Sequence, residues 1–240
     1  MRLLVVADAH GRLPTIRGNG IDGVDLVLFC GDLTNGNGRH ERLRRFMGKL
    51  VEVLDRLAPG APVAFVPGNN DHPTLNELDF GDLGAQNLHC AWRSCKREGD
   101  VPVVGLGGAT YGLVNVFAFE EGEIEAKLRG LMEVAPEGVE AAGKDGATGF
   151  VLLVHDPPRD TPLDLTFSGE HAGSAAVRRF AEEWRPALVA CGHIHEAAGT
   201  TKLGPTLVVN PGPFHAGKYA VVDVERGPSG WKASVGHAGT

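Results

Sequence analysis

VACGHIHEAAG, residues 189–199, is an apolar run that ends in two histidines one residue apart. A strand buried on both faces has no packing use for imidazoles at its mouth. His193 and His195 therefore direct attention to the ends of all the similar runs. Residues 2–8, 25–32, 62–69, 101–108, 150–156 and 206–212 resemble residues 187–193: short, rich in Val and Leu, and closed by Gly, Asp or Pro. Continuous apolarity over so few residues marks strands covered on both faces, as in an α/β sheet. Between the runs, residues 39–58 set Leu43, Phe46, Met47, Leu50 and Leu54 on one helical face. Residues 174–186 do the same with Val177, Phe180 and Trp184 and stop at Pro186, and a weaker helix is expected from Glu120 to Val134. Residues 135–149, Gly-rich and charged, read as a surface excursion, and YAVVDVE (219–225) with WKASVGH (231–237) as a closing hairpin. No repeat or linker divides the chain, so residues 1–240 are read as a single domain.

At 240 residues and 42% hydrophobic, the chain is long and apolar enough to bury a full core. A net charge of −7 repels polyanions and disfavours nucleic acid as a partner. No apolar stretch approaches the ~20 residues of a membrane helix, and the opening MRLLVVADAHG is too short for a signal-peptide core. The expectation is a cytoplasmic protein with no membrane partner. Cys30 and Cys191 end apolar runs and read as small core residues, while pairing of Cys90 with Cys95 is not expected in that compartment. GLGGATYG (105–112) fails the dinucleotide pattern because Thr110 stands at the third glycine, and it reads as a tight loop bordering a cleft.

Polar residues gather where the runs stop. Asp8 and His10 follow the first, Asp32 the second, and Asn69, Asn70 and Asp71 the third; His155 follows residues 150–154, and His193 with His195 follow residues 187–191. In open α/β sheets, ligands bind outside the carboxyl ends of the strands, so these scattered residues can converge. Asp8, His10, Asp32, Asn69, His155, His193 and His195 make seven oxygen or nitrogen donors with no sulfur. Four ligands normally fill a zinc site, so seven suit two ions sharing a carboxylate, with positions left for water and substrate. Mixed imidazole and carboxylate ligation favours Mn, Fe, Zn or Ni over Ca or Mg. Two such ions about 3.5–4 Å apart form a clamp for in-line displacement at phosphorus.

The set D8-A-H10, G31-D32, G68-N69-N70-D71, H155 and G192-H193-I194-H195 resembles the calcineurin-like metallophosphoesterases, whose pattern is D-x-H, G-D, G-N-H-D/E, H, G-H-x-H. HAGSAAVRRF (171–180), CGHIHEAAG (191–199) and LGPTLVVNPGP (203–213) are similar to a prokaryotic branch related to the cyclic-nucleotide phosphodiesterase Icc. The resemblance implies a four-layer αββα sandwich of two mixed β-sheets flanked by helices. It also implies two divalent transition-metal ions, manganese first among them. Asp8, His10 and His195 would hold one, Asn69, His155 and His193 the other, and Asp32 would bridge. A water between the ions would lose a proton and attack the phosphorus of a small-molecule ester. Non-catalytic scaffolds such as the retromer subunit, and nucleases, share this fold and are the rival readings; a homo-oligomer is compatible with all three.

One position departs from the pattern. The family's G-N-H-D histidine contacts phosphate and helps to protonate the leaving oxygen, and here it is Asn70. An amide donates a hydrogen bond but delivers no proton at neutral pH. Phosphodiesters or activated monoesters are therefore expected over alkyl monoesters. His171, ahead of the helix at 174, is a candidate substitute proton donor, and the Ser174 region a candidate anion site; the plainer expectation is a solvated histidine and a capping serine. His72 and His215 can lie near the cleft, but loops carry histidine for many reasons.

Overall fold

The structure, a computed structural model, describes residues 1–16, 20–36, 39–93, 100–110, 116–136, 139 and 146–239. Its strands are β1 (Arg2–Val6), β2 (Leu26–Cys30), β3 (Val63–Val66), β4 (Ala85–Asn87), β5 (Ala91–Arg93), β6 (Val103–Leu106), β7 (Thr148–Val154), β8 (Pro186–Ala190), β9 (Gly199–Leu203), β10 (Thr206–Asn210), β11 (Tyr219–Gly227) and β12 (Gly230–Gly239). Among the described residues three α-helices accompany them: α1 (His40–Leu57), α2 (Glu121–Glu133) and α3 (Ala175–Trp184).

Two six-stranded sheets form, in the orders β12-β11-β1-β2-β3-β4 and β5-β6-β7-β8-β10-β9. In the first, β1 to β4 run parallel and β11 and β12 join antiparallel; in the second, β6, β7, β8 and β10 are parallel between antiparallel β5 and β9. Alternate residues of each strand serve different layers, because side chains alternate across a pleated strand. Leu3, Val5, Leu26 and Leu28 meet Val151, Leu153, Leu188 and Ala190 between the sheets. Leu4, Val6, Val27 and Phe29 face Leu43, Met47, Leu50 and Leu54 of α1. Val104, Phe150, Leu152 and Val189 face Ile124 and Leu128 of α2 and Val177 and Phe180 of α3. The result is the four-layer αββα sandwich of two mixed sheets. It explains the continuous apolar runs, since both faces of each central strand are covered.

Parallel strands within a sheet end at the same edge. The segments after β1, β2 and β3 and those after β7 and β8 thus leave the two sheets side by side. Most differences from the sequence reading fall in weakly patterned segments. β4, β5 and β9 are short edge strands with little apolar signal. β7 begins at Thr148, so residues 148–149 of the expected surface excursion are buried strand; residues 137–138 and 140–145 lie outside the described residues. Phe46 and Trp184 are only half-buried. No helix among the described residues is long and apolar enough to cross a membrane. Cys30 and Cys191 are buried free thiols and Cys90 is an exposed one; Cys95 lies outside the described residues.

His89 anchors the loop that leaves β6 beside the cleft. Its Nδ1 accepts a hydrogen bond from Gly107 N at 3.1 Å, and its ring stacks on Phe119 at 5.9 Å between centroids. Burial, then the nearby Lys127 charge, pushes its pKa down to about 4. An unfolded imidazole titrates near 6.5, so between those values the unfolded chain takes a proton that the folded chain refuses. Stability from this site is complete above pH ~6.5 and is lost as pH falls toward 4. His89→Asn should flatten that part of the decline, measured as urea midpoints from pH 7 to 4.5 in chelator; parallel slopes for variant and parent would refute the assignment.

Candidate metal centre

The loops after β1 and β2 run side by side. Asp8 N donates to Gly31 O at 3.0 Å, His10 N to Asp32 O at 2.9 Å and Gly11 N to Leu33 O at 2.8 Å. This lattice sets Asp8, His10 and Asp32 together. Asp71 ties the third loop to it: its buried carboxylate accepts from Gly68 N at 2.9 Å, Leu33 N at 3.0 Å, Thr34 N at 2.7 Å and Thr34 Oγ1 at 2.8 Å. From the second sheet, His193 N donates to Asp8 Oδ2 at 3.2 Å. Backbone crowding is severe. A Cβ on Gly31, whose φ is +89°, would stand 2.5 Å from His155 Nδ1, and one on Gly192 would stand 2.8 Å from Asp8 Oδ2. Asp8, His10, Asp32 and His193 themselves have φ of 58°, 48°, 53° and 69°, in the left-handed region.

Side chains meet within this frame. His195 Nε2 lies 3.3 Å from Asp8 Oδ1 and 3.1 Å from His10 Nε2. Asp32 Oδ2 lies 3.6 Å from His10 Nε2 and 3.5 Å from His155 Nε2. His155 Nε2 is 3.1 Å from Asn69 Oδ1, and the His155 and His193 rings are 4.9 Å apart. Ligand atoms of Asp8, His10 and His195, and likewise of Asp8, Asp32 and His155, fall within 4.8 Å of one another. The seven sequence candidates thus converge from both sheets, with Asp32 standing between the two groups.

Neighbouring groups set the tautomers. His155 Nδ1 donates to Cys30 O at 2.6 Å, and His10 Nδ1 donates to Asn35 Oδ1 at 3.0 Å, while Asn35 Nδ2 returns a bond to His10 O at 2.9 Å. A carbonyl only accepts, so in the neutral rings Nδ1 carries the proton and Nε2 offers its lone pair inward. Asp8 Oδ1 is buried and accepts no hydrogen bond among the described residues. An orphaned carboxylate oxygen beside inward lone pairs is costly without a cation and apt with one. The donor set fits divalent ions.

Electrostatics point the same way. Burial alone would lower the His155 pKa, but the Asp32 and then the Asp8 carboxylates raise it well above the ordinary imidazole value. Burial would raise Asp32, yet the His155 charge and the bonds from His155 and Asn70 hold it far below the usual carboxylate range. Burial, then the His155 charge, pushes His193 down to about 4, leaving it neutral. Ligation requires neutral imidazole. Metal loading should therefore expel the His155 proton, and apparent affinity should rise with pH through the neutral range. Calorimetry in buffers of differing ionisation enthalpy reads this directly; binding without proton release would contradict it.

Asn70 sits against the same carboxylate, with its backbone N 2.8 Å from Asp32 Oδ1 and its Nδ2 donating to Asp32 Oδ2 at 2.6 Å. His171 lies elsewhere: its Nδ1 pairs with Asp164 Oδ1 at 2.8 Å, and it lines an open cavity with Arg159, Thr166 and Ser168. The candidate anion site at α3 is already filled, because the Glu121 carboxylate accepts from Ala175 N at 2.8 Å, Ala176 N at 2.7 Å and Ser174 Oγ at 3.0 Å. Ser174 caps the helix through Val177 N. His72 caps a short 3-10 turn through Thr74. His215 joins the site: its Nδ1 donates to Asp8 O at 2.8 Å, and its ring stands 5.9 Å from His10 and 6.0 Å from His195. Sequence reading gave Asn35 no part in the metal centre, since a lone loop asparagine carries no such signal.

Residues 1–197, which span all seven converging side chains, match the calcineurin-like phosphoesterase profile. The chain belongs to the calcineurin-like phosphoesterase family. Membership makes it, in general terms, a metal-dependent phosphoesterase, and the Asp/His clusters supply a place for the ions. The phosphoesterase is 29% identical over 235 residues to the uncharacterised protein MJ1162 of Methanocaldococcus jannaschii, covering 94% of this chain and 93% of that one. Its fold is similar to that of TT1561 of Thermus thermophilus, with a TM-score of 0.62 at 19% identity over 98% of both chains. A further solved structure matches with a TM-score of 0.67 at 19% identity, again over 98% of both.

Proposed function

We propose that the chain, acting as one domain in the cytoplasm, hydrolyses small-molecule phosphate esters with two divalent transition-metal ions, manganese favoured. The observation that carries this reading is Asp32 Oδ2, which stands 3.6 Å from a nitrogen of one group, His10, and 3.5 Å from one of the other, His155. Asp8, His10 and His195 would hold one ion, Asn69, His155 and His193 the second, and Asp32 both. Such a pair supplies an acidified water and charge neutralisation at phosphorus. The protein's own part is placement. Cys30 O and Asn35 aim two imidazoles, Asp71 clamps the loops that carry Asp32 and Asn69, and no protein nucleophile is needed.

Asn70 would donate an N–H to a phosphoryl oxygen but has no proton to give the leaving group. Phosphodiesters and activated monoesters, whose leaving oxygens need less protonation, are therefore the favoured substrates. His171, aimed by Asp164 into its cavity, would serve as donor only to leaving groups long enough to reach it. The test is metal content by mass spectrometry together with a panel of monoesters, diesters, cyclic nucleotides and dinucleotides, assayed with Mn²⁺, Zn²⁺, Ni²⁺ and Mg²⁺. Two firmly bound ions and metal-dependent turnover of diesters are expected. A protein that binds no transition ion, or that cleaves none of the esters, would overturn the reading.

A further inference from the structure

Phe167 is the most exposed large apolar side chain among the described residues. It is 93% exposed, yet the turn that carries it is fastened throughout. Thr166 N donates to Glu170 O at 2.9 Å, Gly169 N to Thr166 O at 2.9 Å and Thr166 Oγ1 to Glu170 O at 3.0 Å. Beneath the turn, the buried Asp164 carboxylate accepts from Asp160 N, Thr161 N, Gly173 N and His171 Nδ1. The turn is also tied to the metal centre's own chain segment. Phe167 N donates to Glu196 Oε1 at 2.9 Å, and Glu196 directly follows His195, one Cα step of ~3.8 Å away. Thr166, Ser168 and Glu170 of the turn also line a cavity of about 730 Å³, together with Thr110, Arg159 and His171.

We infer that Phe167, whose backbone is tied to the residue after His195, is a stacking platform for a flat aromatic group of the substrate, a nucleobase or an aryl ester. The inference rests on the proposed function and narrows its substrate class. The fastened turn fixes the backbone from which the ring projects, and at 93% exposure the ring's faces are open to a ligand. A protein partner suits the surroundings less well. A specific interface covers about 800 Å² on each side, whereas this is one ring among Thr166, Ser168, Gly169 and Glu170, with Leu165 40% exposed beside it. One aromatic face presented singly matches one aromatic face on a ligand. The net charge of −7 argues for a small ester over a nucleic-acid strand.

The test uses the metal-loaded protein and non-hydrolysable methylenephosphonate analogues of adenosine 5′-phosphate and ribose 5-phosphate. These share phosphorus and sugar and differ only by the base. Calorimetry should show the adenosine analogue binding about tenfold or more tighter. Phe167→Ala should erase that advantage while the ribose analogue, the internal reference, keeps its affinity, and Phe167→Tyr should retain the advantage. Equal binding of the two analogues, or an advantage that survives Phe167→Ala, overturns the inference alone. Binding of neither analogue also overturns the inference, while the phosphoesterase reading stands or falls on metal content and the ester panel. A parent dimer that Phe167→Ala dissociates in sedimentation would reassign the ring to self-association and overturn the inference as well.

Discussion

Asp32→Asn should leave a folded protein that has lost its paired ions and whose kcat/KM for phosphate esters falls on the order of 10³-fold or more. The carboxylate is 2% exposed, and its Oδ2 lies within 3.6 Å of an imidazole nitrogen in each half of the site. An amide of the same shape cannot bring its negative charge to two cations at once. It would also turn an N–H toward Asn70 Nδ2, which now donates to Asp32 Oδ2. That donor–donor conflict costs about 1–3 kcal/mol, so chelated parent and variant must be compared by urea unfolding. Metal content then separates a lost ligand from a lost fold. Two retained equivalents with undiminished turnover would remove Asp32 from the bridging role.

Asn70→His is expected to act in the opposite direction, and selectively. A general acid contributes about 10²–10⁴-fold, and the benefit concentrates on esters whose leaving oxygen is a poor one. Alkyl monoester turnover should rise by about 10²-fold or more, with nitrophenyl esters changed little. The imidazole must give up the short bond that the amide makes to Asp32 Oδ2, at 2.6 Å, so part of the gain is offset by a looser bridge. Relative rates across a series of leaving groups isolate the proton-transfer effect from that loss. An unaltered dependence on leaving-group pKa would show that position 70 does not govern protonation here.

Much of this architecture is legible in the chain because burial on two faces leaves an unmistakable run of Val and Leu. Residues 2–6, 26–30 and 187–190 announce themselves as central strands, and the polar residues after them mark the edge where they end. β4 and β5 do not, since a three-residue edge strand buries too little to impose a pattern. The candidate metal centre is legible for a similar reason: its residues lie on the strand exits themselves. Its supports are not. Asn35 acts through an amide on His10, and Cys30 through a backbone carbonyl on His155, and a carbonyl is present whatever the residue. Glu121 closing the α3 N-terminus joins positions 54 and 55 residues apart, a pairing that only the packed helices create.

The left-handed backbone at Asp8, His10, Asp32 and His193 restricts which amino acids can serve there. Aspartate, asparagine and histidine visit that conformation several-fold more readily than other side-chain-bearing residues. Glutamate has an equally good carboxylate, but it would add a methylene to a position that already tolerates no slack and would meet a less forgiving torsional well. The short alphabet of this centre is thus selected twice, once by the affinity of its atoms for a cation and once by the handedness of the main chain beneath them.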